Sequence, residues 1–269
     1  MADERQELDH GTFPSPDERW QRALSFGQVA ELYDQWRPGY PDALYTDVLG
    51  CGTGSHALEA GAGTGRATLE LARRGASVVA VEPDRAMAAV ARRRTHGMTV
   101  TVQESTFEDC TVPAGVFDLV VAAQAWHWIE QEPGAVVAAR ALRPGGALCV
   151  WWNRPRELTG PVWDAVHAVY AEHAPALDRR AALRRQPEIE QQVEPAPGFK
   201  HWTTHTYDWT ATYDTESYGG LLQTHSDHLR LPEPRRRQLI DGVRAAITHA
   251  GAGSLEYRYR TVLLTAQVR

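Results

Sequence analysis

The sequence predicts an α/β protein built on a mostly parallel sheet with helices on both faces. Two observations carry that class. Short apolar runs alternate with helical patterns from Ala57 to Trp152, at lengths that suit strands and crossover helices. Ser77–Val81 is a continuous β-branched run, as a strand covered on both faces requires.

Residues 1–19 are polar, carry Pro14 and Pro16, and read as a mobile arm before a single domain spanning 20–269. Leu24, Val29, Leu32 and Tyr33 give Trp20–Tyr33 a helical spacing, which Pro38 and Pro41 break. A short helix through Leu44 and Val48 follows. Strands are expected at Ala57–Ala60, Ser77–Val81, Thr99–Val102, Phe117–Ala123 and Ala147–Trp152. Helices are expected at Arg66–Arg74, Arg85–Arg94 and Pro133–Leu142, the last closed by Pro144-Gly145-Gly146. Beyond Asn153 the pattern changes. Arg154–Gly198 is helical, charged and interrupted by prolines, and His201–Thr212 alternates like a strand. Asp214–His228 and Pro234–His249 are helical, and Leu255–Gln267 closes the chain as a strand. The sheet core is thus placed at about 42–153, and a helical cap at about 154–200 and 213–250.

Composition narrows the function. At 269 residues, with 43% hydrophobic and 23% charged residues, the chain can bury a sizeable core. Lys and Arg number 28 against 34 Asp and Glu, a net charge of −6 that argues against a nucleic-acid partner. Cys51, Cys110 and Cys149 are an odd number without metal-ligand spacing, as in a reduced compartment. The polar amino terminus and the lack of a long apolar run predict a soluble, cytoplasmic protein without a membrane partner.

The chemistry starts at Gly61-Ala62-Gly63-Thr64-Gly65, between the strand ending at Ala60 and the helix from Arg66. Glycines let the backbone bend and let a ligand approach, while the helix start presents unpaired N–H groups. Glu82, at the end of the next strand, can accept hydrogen bonds from both hydroxyls of a ribose. A dinucleotide fingerprint needs glycine or alanine where Arg66 stands, so that template fails. A phosphate loop ending in Gly-Lys-Ser/Thr is also absent. Gly50-Cys51-Gly52-Thr53-Gly54 looks similar, but no adequate strand enters it and no long helical segment follows. It reads as a connector without a ligand.

With these pieces in order, the chain resembles class I S-adenosylmethionine (SAM)-dependent methyltransferases of the type 11 small-molecule group. Ala57–Gly65 resembles that family's first SAM motif and Val79–Asp84 its second. Ser105–Asp109, Phe117–Val120 and Leu142–Gly146 match later landmarks. Arg37-Pro38-Gly39-Tyr40-Pro41 and Gln124-Ala125-Trp126-His127-Trp128 are similar to the branch containing trans-aconitate-methyltransferase-like proteins. The resemblance implies a Rossmann-like seven-stranded sheet whose last strand is antiparallel. It implies SAM as cofactor and S-adenosylhomocysteine as product. Gly61, Gly63 and Gly65 would shape the turn under the methionine part, with Glu59 orienting it and Glu82 taking the ribose. Pro83 belongs to the ribose motif. Met87 and Phe107 would flank the adenine, with Thr106 beside them and Glu108 near the exocyclic amine. Gln124 would lie near the sulfonium, and Tyr33 and Arg37 would close over the cofactor.

Such an enzyme aligns a small-molecule acceptor in line with the S–CH₃ bond, and O-methylation is the favoured outcome. His127 is the candidate base where an acceptor needs one; packing between Trp126 and Trp128 is the alternative. The acceptor is expected against Tyr40, Trp128, Trp152, Tyr218, Leu222 and His225, with one of Trp151 and Trp152 facing the core and the other the site. His201 and His205, and His225, Asp227 and His228, do not make a full ligand set, so no metal is expected. Arg92–Arg94 and Arg235–Arg237 read as solvated helix faces. The oligomeric state is left at monomer or homodimer. A SAM-fold enzyme or SAM-binding protein that does not transfer methyl is the competing function.

Overall fold

The computed structural model describes residues 26–52, 54–156, 158–178 and 196–269. The expected arm at 1–19, the start of the first predicted helix and the prolines at 187 and 195 lie outside these residues.

Seven strands form one sheet: β1 (His56–Ala60), β2 (Ser77–Val81), β3 (Val100–Gln103), β4 (Phe117–Ala123), β5 (Leu142–Pro155), β6 (Phe199–Asp214) and β7 (Ser254–Val268). Their order is β3-β2-β1-β4-β5-β7-β6. Strands β1 to β5 pair in parallel, while β7 runs antiparallel to both β5 and β6. The last strand in sequence is therefore the reversed one. The order turns back at β1 and β4, and the carboxyl ends of strands at such a point open a crevice for a ligand.

The described helices are α1 (Ala30–Trp36), α2 (Asp42–Gly50), α3 (Arg66–Arg73), α4 (Arg85–Arg94), α5 (Gln131–Ala141), α6 (Pro161–His173), α7 (Thr215–Leu222), α8 (Ser226–Leu229) and α9 (Glu233–Ala250). Leu44, Tyr45 and Val48 of α2 and Ala67 and Leu71 of α3 pack on one sheet face with Trp151. Ala135 and Ala138 of α5 pack on the other with Trp126 and Trp152. Strand β4 is accordingly buried along almost its whole length. Its Asp118 is buried among apolar neighbours, yet it accepts from His56 N at 2.9 Å and pairs with Arg143 at 3.1 Å.

Three expectations change. The Pro144-Gly145-Gly146 sequence does not separate helix from strand. Phe117 pairs with Leu142 directly after α5, and the register shifts before Leu119 pairs with Ala147. The sequence break is a β irregularity, with Gly145 at φ +81°. The helix expected over Asp214–His228 is two helices. Thr224 Oγ1 donates back to Leu221 O at 2.7 Å, and Arg37 Nη2 donates to Thr224 O at 2.7 Å, so α7 ends there. The Arg92–Arg94 run is not merely a solvated face. Arg92 pairs with Glu104, Arg93 with Glu31 at 2.7 Å, and Arg94 with Asp34. The last two strap α1 onto α4.

Gly50 is the last residue of α2, and Cys51, Gly52 and Gly54 lie between that helix and β1, at the sheet edge opposite the strand carboxyl ends. A Cβ on Gly54 would lie 2.6 Å from Asp118 Oδ2, so glycine serves packing there. Among the described residues no helix is long and apolar enough to cross a membrane.

Candidate active site

The turn after β1 needs its glycines. Gly61, Gly63 and Gly65 have φ of +66°, +57° and +77°, the left-handed region that L side chains avoid. Gly65 is the N-cap of α3. The turn is tied down by Ala62 N donating to Val81 O at 3.0 Å and by Gly63 N donating to Glu82 Oε2 at 2.8 Å. Asp84 N donates to the other oxygen of Glu82 at 3.0 Å. The acidic end of β2 thus fixes the glycine turn, and each of its carboxylate oxygens retains a lone pair for a ligand. Burial pushes the Glu82 carboxyl up to about 7, against the pull of its two backbone donors.

Glu59 lies beneath the turn, almost wholly buried, and accepts from Thr68 Oγ1 at 2.5 Å. Burial, opposed by that hydrogen bond and reinforced by the nearby Glu82 charge, raises it to about 8. An unfolded glutamate titrates near 4.5, so the native state binds the extra proton between about pH 4.5 and 8. This contribution to stability is present below 4.5 and is lost as pH rises through 8. Glu59→Gln should therefore lose less melting temperature than the parent between pH 6 and pH 9. Equal losses in thermal melts would contradict the buried neutral carboxyl.

An open cleft lies over this turn. Of the residues expected to hold the cofactor, Tyr33, Gly61, Gly63, Glu82, Pro83, Met87, Thr106, Phe107, Glu108 and Gln124 line it. Met87 comes from the first turn of α4, where Asp84 Oδ1 caps Ala86 N and Met87 N at 2.8 and 2.9 Å. Thr106 and Asp109 close a tight turn through bonds of 2.8 and 3.0 Å, which presents Phe107 and Glu108. Glu108 Oε1 accepts from Glu130 N at 2.7 Å. Gln124 directly follows β4 with φ +57°, an unusual conformation for a side-chain-bearing residue, fixed by its N–H donating to Trp151 O at 2.8 Å. Phe26 packs edge-on against Tyr33 and Trp128, with ring centroids 5.6 and 6.3 Å apart.

Phe26, Ala123, Ala125 and Ile129 also line the cleft and were not singled out in the sequence. The two alanines flank Gln124, so the end of β4 was the available signal. Nothing local marks Phe26, which arrives through the strapped α1.

Other expected residues lie elsewhere. Gly65 and Glu59 support the turn from behind. Arg37 does not line the cleft: it is held by Thr224 O, and its guanidinium lies 4.9 Å from the Tyr33 ring centre. Of the six residues expected around the acceptor, only Trp128 lines this cleft. Tyr40 stands edge-on to Trp151 at 5.8 Å. Tyr218 and Leu222 are 4% and 1% exposed inside the cap, where Tyr218 meets Trp163 edge-on at 5.7 Å. The apolar face of α7 is used by the cap's own core. His225 packs against His228, 5.2 Å between ring centres. The candidate ligand atoms of His225, Asp227 and His228 lie within 4.8 Å of one another. His228 is engaged at both ring nitrogens, by Asp227 Oδ1 at 2.7 Å and Tyr170 OH at 2.8 Å.

Trp151 faces the α2–α3 side, as one of the pair was expected to face the core. Trp152 faces the other side and reaches His127: its Nε1–H donates to His127 Nδ1 at 3.0 Å. His127 itself is exposed. The candidate base thus has one ring nitrogen already accepting a hydrogen bond.

The fold and cleft define an α/β protein with a cleft over a glycine turn where the strand order reverses. Residues 58–150 match the family model described as "Methyltransferase domain". An uncharacterized methyltransferase of Mycobacterium tuberculosis is 32% identical over 251 residues, covering 91% of this chain and 96% of that protein. A demethylmenaquinone methyltransferase of Tropheryma whipplei is 29% identical over 51% of this chain and 62% of its own. Among solved structures, a candidate type II methyltransferase from Anaeromyxobacter dehalogenans superposes with a TM-score of 0.62 at 23% identity, covering 87% of this chain and 97% of that one. The chain belongs to the class I SAM-dependent methyltransferases.

Proposed function

We propose that this protein transfers a methyl group from SAM to a small molecule in the cytoplasm, with an oxygen as the favoured acceptor atom. The observation that carries the reading is the glycine turn pinned to Glu82 at the point where the strand order reverses. The residues fit the cofactor. A Cβ on Gly63 would meet nothing within 4 Å, so the turn leaves space where a ligand must approach the backbone. Glu82 keeps lone pairs for two ribose hydroxyls, and Met87 and Phe107 offer apolar surface to a purine.

When bound, SAM supplies a methyl group on a sulfonium, an electrophile that needs alignment and dryness more than acid or base. In this reading Gly61 and Gly63 cradle the methionine part, and Gly65 starts the helix behind it. Glu59 supports the turn through Thr68. Pro83 and Thr106 border the nucleoside, with Glu108 toward the adenine amine. Gln124 holds the end of β4 beside the reacting atoms. Phe26, Tyr33 and Trp128 exclude water from above, and Arg37 steadies Tyr33. Orientation of this kind can lower a barrier by roughly 7–11 kcal/mol in well-aligned cases. The likeness of Arg37–Pro41 and Gln124–Trp128 to the trans-aconitate branch is part of this reading. It rests on those segments alone.

The test is incubation of the full chain with methyl-labelled SAM and a panel of simple carboxylates, phenols and amines. We expect S-adenosylhomocysteine to form with at least one of them. Cofactor binding without product across the panel would favour a SAM-binding protein that does not transfer methyl.

A further inference from the structure

The cap carries a second cluster of chemistry-bearing side chains, apart from the cleft. His225 immediately precedes α8, and Asp227 and His228 lie within that short helix. One candidate ligand atom from each residue lies within 4.8 Å of the other two. Both histidines are buried, 8% and 0% exposed, with ring centres 5.2 Å apart. The Asp227 side chain is 45% exposed, so the cluster opens to solvent on that side. Zinc bonds to nitrogen and oxygen are about 2.0–2.2 Å long, which sets tetrahedral ligand atoms about 3.4 Å apart. His228 Nδ1 and Asp227 Oδ1 are 2.7 Å apart, so an ion needs this pair to open and the widest pair to close. Each change is less than about 1.5 Å, within the reach of side-chain rotation.

The outer partner that a metal-ligating histidine requires is also in place. Tyr170 OH, on α6, lies 2.8 Å from His228 Nε2. A neutral imidazole carries one ring proton. It sits on Nδ1 when Asp227 accepts it, and on Nε2, donating to the Tyr170 oxygen, when Nδ1 turns its lone pair to an ion. The ion thus takes the place of the proton between His228 and Asp227. Spacing alone offers three ligands and not the four of a closed site, but a site open to solvent takes three and completes itself with water. Two imidazoles and one carboxylate suit zinc better than calcium or magnesium, which take oxygen ligands.

We propose that His225, Asp227 and His228 bind a zinc ion at the corner between α7 and α8, with Tyr170 holding the His228 ring from behind. The ion ties this corner to α6, one residue beyond the Thr224 carbonyl that holds Arg37. The site stands apart from the function proposed above and is tested without activity.

The test is calorimetric titration of zinc chloride into the chelator-stripped full chain near neutral pH, with thermal melts on the same samples. We expect one ion per chain and a melting temperature raised by several degrees at saturating zinc. Asp227→Asn keeps the size of an exposed side chain, so it should fold, and its zinc affinity should fall at least about tenfold. His225→Gln should lose the site, and Tyr170→Phe should weaken it about tenfold through the outer partner. His205→Gln, on the exposed part of β6, is the control and should bind as the parent does. No zinc binding by the parent, or equal binding by Asp227→Asn, overturns the proposal whether or not His225→Gln folds. Loss of binding in His205→Gln would put the ion on β6 and overturn it as well.

Discussion

Gly61→Val should lower the melting temperature and abolish cofactor binding together. Two costs arise at one residue. At φ +66° a β-branched side chain occupies the left-handed region at roughly 1–2 kcal/mol or more. Its Cβ would also stand 2.6 Å from the Ala125 Cβ, closer than real Cβ atoms approach. Relieving that clash typically costs about 1–3 kcal/mol. Ala125 sits in the turn after β4, one residue beyond Gln124, so the movement that relieves the clash displaces both walls of the cleft. Against a total stability of roughly 5–15 kcal/mol, the variant should still fold but melt several degrees lower. A thermal melt with and without S-adenosylhomocysteine checks this. An unchanged melting temperature, or a full shift on adding ligand, would contradict the account of the turn.

Glu82→Ala should affect the ligand more than it affects the fold. The side chain does two things: it accepts from Gly63 and Asp84, and it is proposed to accept from the ribose. Hydrogen bonds to a charged group contribute roughly 1.5–3 kcal/mol each, so losing two from the ligand weakens binding by at least about a hundredfold. The pH dependence has a definite sign. Ribose hydroxyls donate, so they favour the ionised carboxylate, and the free protein holds Glu82 near 7. Affinity should fall as pH drops from 8 to 6, and this slope should vanish in Glu82→Ala.

Much of this site was legible because it is local. The strands Ser77–Val81 and Phe117–Ala123 and the helix Arg85–Arg94 have the bounds the sequence predicts. Each is bounded by residues whose local chemistry sets the boundary, such as Asp84 capping α4. The residues proposed to hold the cofactor sit within a few positions of those boundaries, so spacing finds them. What was missed depends on partners distant in sequence. Tyr218 and Leu222 mark a buried helix face, but periodicity does not say whether that face meets a ligand or Trp163 and Tyr257. The arginines at 93 and 94 look like surface charge until α1 brings Glu31 and Asp34 beside them. Arg37 finds its acceptor at Thr224, 187 residues away. His127 was visible as a titratable residue near the site, while its bond to Trp152 exists only once β5 lies beside β4.

The most direct test is calorimetric titration of S-adenosylhomocysteine into the parent protein and into Glu82→Ala at pH 8. The prediction is a single site in the parent and an affinity at least about a hundredfold weaker in the variant. No binding to the parent, or equal affinity in both proteins, would contradict a cofactor cleft built on the glycine turn and Glu82.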